Sequence, residues 1–164
     1  MSLDPITPSP TPHPTADGPD ALLEVRTWRL KSLRILRLVG ELDALTASRV
    51  RVTLDEVLSD RHRPLLVVDL THLTFMASAG VGLLVEIRQR VGGRAGRMVV
   101  VLAARSHPRR LFELTRMVDH FETASTLRQA VHALRQAEDD PVPPGATGAT
   151  PPSPPPADRP RGEG

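Results

Sequence analysis

The chain is 164 residues long with 17 prolines, six of them in residues 1–20 and nine in 141–164, so only Pro64 and Pro108 interrupt the stretch between. That distribution predicts one folded body over residues 21–138, long enough to bury roughly two-thirds of its unfolded surface, between Pro-rich disordered tails at 1–20 and 139–164. There is no cysteine, which excludes disulfide scaffolds, thiol nucleophiles and Cys-based zinc sites, and the body carries a net +7 against −5 in the tails.

From the start of the body, Leu22–Trp28 and Leu33–Val39 are short, apolar-rich runs around a polar Arg29–Ser32, which predicts a hairpin. Ala44–Leu58 follows with Ala47, Val50, Leu54, Val57 and Leu58 at helical spacing. Pro64–Leu70 is a continuous apolar, β-branched run, the pattern of a strand buried on both faces. Gly80–Val91 reads as a second helix closed by Gly92-Gly93. Met98–Ala103 is another buried strand. Ser106 caps a third helix with Pro108 in its first turn and Leu111, Phe112 and Leu114 as its apolar side. Val118–Glu122 reads as an edge strand, and Thr123–Gln136 as a last helix with Leu127, Ala130, Val131 and Leu134 on one face. A hairpin followed by strand–helix units predicts an α/β domain with a largely parallel sheet.

The charge could suggest nucleic acid, but twenty of the 21 basic residues are Arg and they are scattered along the chain. With no Asn, no Tyr, one Trp and three Phe, base stacking and adenine readout have few residues to work with, so no direct nucleic-acid partner is expected. No apolar run approaches the ~18 residues of a membrane span, and Met1–Asp20 lacks a basic start followed by an apolar stretch. The expectation is a soluble, cytoplasmic protein with no membrane partner.

The chemistry that can be searched for by motif is missing. Met76-Ala77-Ser78-Ala79-Gly80 lacks the first glycine of a hydrolase elbow. Gly80-Val81-Gly82 has Val85 where a dinucleotide fingerprint needs its third glycine, and no phosphate loop occurs. The six histidines (13, 62, 72, 107, 120 and 132) show no ligand spacing. No catalytic residue, cofactor or metal site is expected.

One junction stands out. The strand at Pro64–Leu70 runs through Thr71–Met76 into Ala77-Ser78-Ala79-Gly80-Val81-Gly82 at the opening of a helix. Two glycines in a first helical turn each cost up to ~1 kcal/mol relative to Ala, and in return leave a bare surface that a partner backbone can approach. Ser78 sits where an N-cap sits, next to unsatisfied amides that would accept a phosphate. A phosphorylation site and a plain N-cap in a tight connection both fit these residues.

Three segments in order, Leu38-Val39-Gly40-Glu41-Leu42-Asp43, Leu66-Val67-Val68-Asp69-Leu70-Thr71 and Phe75-Met76-Ala77-Ser78-Ala79-Gly80-Val81-Gly82-Leu83-Leu84, resemble the STAS domain family across roughly Leu22–Leu134. The resemblance implies a single domain with a mixed, mostly parallel β-sheet flanked by about four helices. Without a membrane segment, the anti-sigma factor antagonist branch is the better match. Such proteins bind an anti-sigma factor that is also a serine kinase and so release a sigma factor; phosphorylation of a serine at the start of the second helix abolishes binding, and a phosphatase restores it.

Ser78 matches that phosphoserine, Asp43 the acidic residue close to it, and Asp69 the aspartate ending the central strand. Asp43 also reads as the N-cap of the first helix and Asp69 as a turn former at a strand end. Where the family commonly has Asp-Ser-Ser-Gly, this chain has Ala77-Ser78-Ala79-Gly80. The expected partner surface comprises Asp43, Ala77, Ser78, Ala79, Gly80 and Gly82. Two other functions stay open on the sequence: a non-phosphorylated STAS scaffold, and an anion- or nucleotide-sensing domain.

Overall fold

A computed structural model describes residues 22–59 and 62–139. The two tails read from the sequence lie outside the described residues, apart from Asp139. Strands β1 (Leu23–Leu30) and β2 (Leu33–Leu42) form the hairpin, with the turn tightened to Lys31-Ser32 because Leu30 pairs with Leu33 and Arg29 with Arg34. Then come α1 (Ala47–Leu58), β3 (Leu65–Met76), α2 (Ser78–Gly92), β4 (Arg97–Val101), α3 (His107–Leu114), β5 (Glu122–Ala124) and α4 (Leu127–Asp139). The sheet has five strands in the order β1-β2-β3-β4-β5, with β1 antiparallel and every other pairing parallel.

The helices divide unequally between the two faces. Ala47, Val50, Leu54 and Leu58 of α1, Leu83, Leu84 and Ile87 of α2 and Phe112 of α3 pack with Leu36, Leu38, Leu66, Val68 and Val100 in one core. On the opposite face α4 alone lays Ala130 and Leu134 over Leu33, Ile35, Leu65, Val67, Val99 and Val101. The strict alternation of these strand residues between the two cores is the period-2 pattern of a pleated sheet covered on both sides.

Several boundaries differ from those read in the sequence. The central strand runs to Met76 rather than Leu70. Its first six residues are buried because β2, β4 and helices surround them; Thr71–Met76 continue beyond the end of β4 and stay extended because β2 still pairs with them, as far as Leu42 opposite Met76. The same pairing carries β2 past Val39. It passes through Gly40 at φ +108, where a Cβ would stand 2.2 Å from the Leu22 carbonyl oxygen, and the Glu41 N–H donates to that oxygen at 2.6 Å. Only glycine lets the start of β1 cross so closely. Val118–Glu122 is not a strand: Met117–Asp119 form a 3-10 turn, Phe121 packs on Phe112 with ring centroids 5.4 Å apart, and the edge strand begins at Glu122. Leu114 is 76% exposed, since it lies about 200° around α3 from the buried Phe112.

Asp69 departs most from its expected role. It is no strand-end turn former but a mid-strand residue, 0% exposed. Its Oδ2 receives the Arg37 Nε–H at 2.8 Å, and its Oδ1 receives the Thr71 amide at 3.0 Å and the Thr71 hydroxyl at 2.7 Å. Arg37 lies directly across the β2–β3 ladder, with its guanidinium 5.1 Å from the centroid of the Trp28 ring. A buried carboxylate survives in a fold only when it is paired and bonded in this way.

Asp69→Ala strands Arg37 and two Thr71 donors at once, and is expected to destabilise the domain by about 3 kcal/mol. Urea unfolding should show this as a lowered midpoint with an unchanged slope.

Candidate functional site

The C-terminal edge of the parallel strands is where β2 and β3 end together. Leu42 pairs with Met76, and the Ala77 N–H donates to the Leu42 carbonyl at 2.9 Å. The turn that starts α1 and the first turn of α2 therefore emerge side by side from adjacent strands.

Ser78 is the first helical residue and not the N-cap. The cap position belongs to Ala77, extended at φ −85 and ψ 171, which has no side chain to contribute; its carbonyl accepts the Gly80 N–H at 2.9 Å. The serine is displaced by one because Ala77 is the residue that still bonds to β2. Ser78 is exposed, and its hydroxyl makes no hydrogen bond among the described residues. It is thus an accessible hydroxyl at a helix start, beside first-turn amides that have no intrahelical partner.

Asp43 is occupied as a cap. Its Oδ1 accepts the Thr46 N–H at 2.8 Å and the Thr46 hydroxyl at 3.0 Å, and its own N–H donates to Thr46 Oγ1 at 2.9 Å. The Ala47 amide closes on the Asp43 carbonyl at 3.0 Å. This reciprocal pair is a capping box set one turn ahead of the regular helix. The Thr46 backbone N–H, and after it the Thr46 hydroxyl, holds the Asp43 carboxyl below its ordinary range, so it is ionised at neutral pH.

The two glycines separate sharply. Gly80 is buried: a Cβ there would stand 2.6 Å from Met76 Cγ and 2.9 Å from Leu42 Cδ2. It is a packing glycine that lets α2 lie against the ends of β2 and β3, not part of an open surface. Gly82 has nothing within 4 Å of its would-be Cβ and shares the outer face of α2 with Ser78, four residues before it. Ala77 and Ala79 are half-buried beside them.

Three features of this edge are absent from the sequence reading. Leu45, inside the Asp43–Thr46 turn, is 82% exposed, and Phe75 is 41% exposed. His107 accepts the Met76 N–H on Nδ1 at 3.3 Å and stacks on Phe75 with ring centroids 5.1 Å apart. To accept there, its ring must carry the proton on Nε2. The histidine supplies the acceptor that a neighbouring strand would have given Met76, since β4 has already ended. Among the described residues no three His, Asp or Glu side chains gather in a metal-binding group, and no helix is long and apolar enough to cross a membrane.

Alanine substitutions should distinguish the two glycines by thermal melting. Gly80→Ala overpacks the core and is expected to cost ~1–3 kcal/mol, whereas Gly82→Ala should stabilise by up to ~1 kcal/mol through helix propensity. For Asp43, whose folded pKa is depressed, the cap's contribution is present above the unfolded carboxylate pKa and lost as pH falls through the folded value. Asp43→Ala should accordingly lower Tm at pH 7, with the gap to the parent closing in acid, while Asp43→Asn, which keeps an acceptor, should retain more of the stability.

Residues 25–130 match the model of the STAS domain. The anti-sigma F factor antagonist of Paenibacillus polymyxa is 32% identical over 78 residues, which span 48% of this chain and 67% of that relative. A crystal structure of an anti-sigma factor antagonist from Mycobacterium paratuberculosis superposes with a TM-score of 0.60 at 26% identity, covering 73% of this chain and 99% of that one. The anti-sigma factor antagonist SpoIIAA, described in unphosphorylated and phosphorylated forms, gives in the unphosphorylated form a TM-score of 0.57 at 21% identity over 69% of this chain and 97% of its own. The five-stranded mixed sheet, the helix arrangement and the sequence match agree, and the chain belongs to the STAS domain family.

Proposed function

We propose that this protein is an anti-sigma factor antagonist whose docking surface is the edge around Ser78. It binds an anti-sigma factor with serine-kinase activity and so releases a sigma factor; phosphorylation of Ser78 switches it off, and a phosphatase switches it back on. The observation that carries this reading is the Ser78 hydroxyl, exposed and unbonded on the outer face of α2. The relatives named as antagonists, one of them known with and without phosphate, support it.

The physics of the switch follows from that position. In the free protein a phosphate on Ser78 faces water and first-turn amides, and the helix dipole favours its charge, so the fold tolerates it. In a closed interface the same ~−1.5 to −2 charge is desolvated. An uncompensated buried charge costs ~3–5 kcal/mol, which corresponds to a loss of affinity of roughly a hundred- to several-thousand-fold. Leu45 and Phe75 supply apolar contact at this edge, and Gly82 supplies close backbone approach.

In partner-binding assays Ser78→Ala should bind constitutively, while Ser78→Asp and Gly82→Arg bind poorly, all three melting close to the parent. Incubation with the cognate kinase and ATP should place a single phosphate on Ser78 by mass spectrometry. Normal binding by Ser78→Asp, with no phosphate on Ser78, would instead make this an unswitched STAS binding module.

A further inference from the structure

The two edges of the sheet are unlike. β5 offers three residues, whereas β1 runs for eight, from Leu23 to Leu30, and among the described residues it pairs on one side only. The hairpin fixes which backbone groups point away from β2. Its two-residue turn makes Leu30 and Leu33 a hydrogen-bonded pair, and the Glu41 N–H on the Leu22 carbonyl marks another at the far end. Bonded and unbonded pairs alternate along an antiparallel ladder, so the N–H and C=O groups of Leu23, Val25, Thr27 and Arg29 face outward.

The side chains alternate in step. Leu23 and Val25 belong to the core shared with α1 and α2, while Trp28 and Leu30 join the opposite one. Glu24 and Arg26 therefore stand on the Trp28 face, where their side chains meet at 2.7 Å and are about half exposed. On that face α4 packs over β3, β4 and β5, and Trp28 is left half-buried. Leu22, just before the strand, is 52% exposed.

We propose that β1 is a self-association surface, on which a second copy of this chain adds its own β1 antiparallel about a two-fold axis at Val25. A two-fold interface must be self-complementary, and the charges select the register. Centring the axis on Glu24 or Arg26 sets like charges opposite, and centring it on Thr27 sets Arg29 against Val25. With the axis at Val25, Glu24 lies opposite the partner's Arg26, and Arg26 opposite the partner's Glu24. Charges that ordinarily keep an edge strand from pairing thus become complementary. Val25 pairs with the partner's Val25 and Leu23 with the partner's Thr27, so the outward backbone groups satisfy one another. Leu22 comes opposite the partner's Trp28 and adds apolar contact, while Arg29 and Lys31 fall beyond the described residues that pair. The two sheets join into one with their strands reversed, so the Ser78 edges point away from each other and both stay open.

An edge pairing of this length is at the small end of specific interfaces, so the dimer forms with concentration. Sedimentation equilibrium of the full-length chain should show mass rising from monomer toward dimer between about 10 µM and about 1 mM. Over the same range hydrogen exchange should slow at the Val25 and Thr27 amides, which face outward in the monomer. Glu24→Arg and Arg26→Glu should each weaken the dimer at least about tenfold, and the two together should restore it to within about threefold. A chain still monomeric at the highest concentration would overturn the proposal. So would a dimer that leaves the Val25 and Thr27 amides unprotected, that survives either single reversal, or that the combined reversal fails to restore. Ser78→Ala should dimerise like the parent and Glu24→Arg should still bind the anti-sigma partner, so failure of this proposal and failure of the Ser78 reading are distinguishable.

Discussion

Everything at the candidate site depends on β2 and β3 staying paired well beyond the point where β4 has stopped. The β3–β4 ladder closes at Asp69 opposite Val101, yet β3 continues to Met76 with β2 beside it. The extension has structural requirements. Register shifts between Arg37 and Val39 and between Gly40 and Glu41 bend β2, and Gly40 must be glycine to pass under the Leu22 carbonyl. The unpaired side of β3 needs a substitute acceptor, which His107 provides to Met76. Gly80 must be small so that α2 can start directly against the Leu42–Met76 pair. These residues are far apart in sequence and serve one purpose: they bring two helix starts out of adjacent strands.

The polar interior obeys the same logic of satisfaction. Asp69 sits in the sheet where its neighbours are apolar, and every acceptor direction it uses is met by a residue that the β2–β3 register places there. Among the described residues no buried side-chain nitrogen or oxygen lacks a partner. The Arg37–Asp69 pair adds specificity of alignment, because a one-residue slip of β2 against β3 would turn Arg37 to the opposite face and leave the carboxylate alone.

The elements legible in the sequence were those whose signal is local. Leu65–Leu70 announced a buried strand because helices cover both its faces, and Ser106 with Pro108 announced the start of α3 because a cap and a first-turn proline are short-range chemistry. The Thr71–Met76 extension carries polar residues at Thr71, His72 and Thr74, and only pairing with a strand about thirty residues earlier makes it β. Arg37 and Asp69 are likewise 32 residues apart, so no window contains both. At the site, Ser78 and Asp43 were found by motif. The distinction between Gly80 and Gly82 was not, because a glycine's purpose lies in what a Cβ would strike, and that is a tertiary quantity. Ser78 was displaced from cap to first helical residue for a similar reason: the last hydrogen bond to β2 belongs to Ala77.

That displacement bears on how the hydroxyl can be used. A capping serine spends its oxygen on an amide two or three residues ahead, and modification would then have to break the cap. Ser78 caps nothing, and the junction is held instead by backbone bonds at Ala77 and by His107 on Met76. A group added at Ser78, or a partner pressed against it, therefore alters charge and shape at the surface without removing a bond that the fold needs. With alanine on both sides, no carboxylate adjoins the hydroxyl in sequence; at the neighbouring strand end Asp43 has its Oδ1 bound to Thr46, and Glu41 stands exposed one residue before the end of β2. In the switch proposed above, the chemistry at the serine then belongs to the docking partner, and this chain contributes the geometry of presentation.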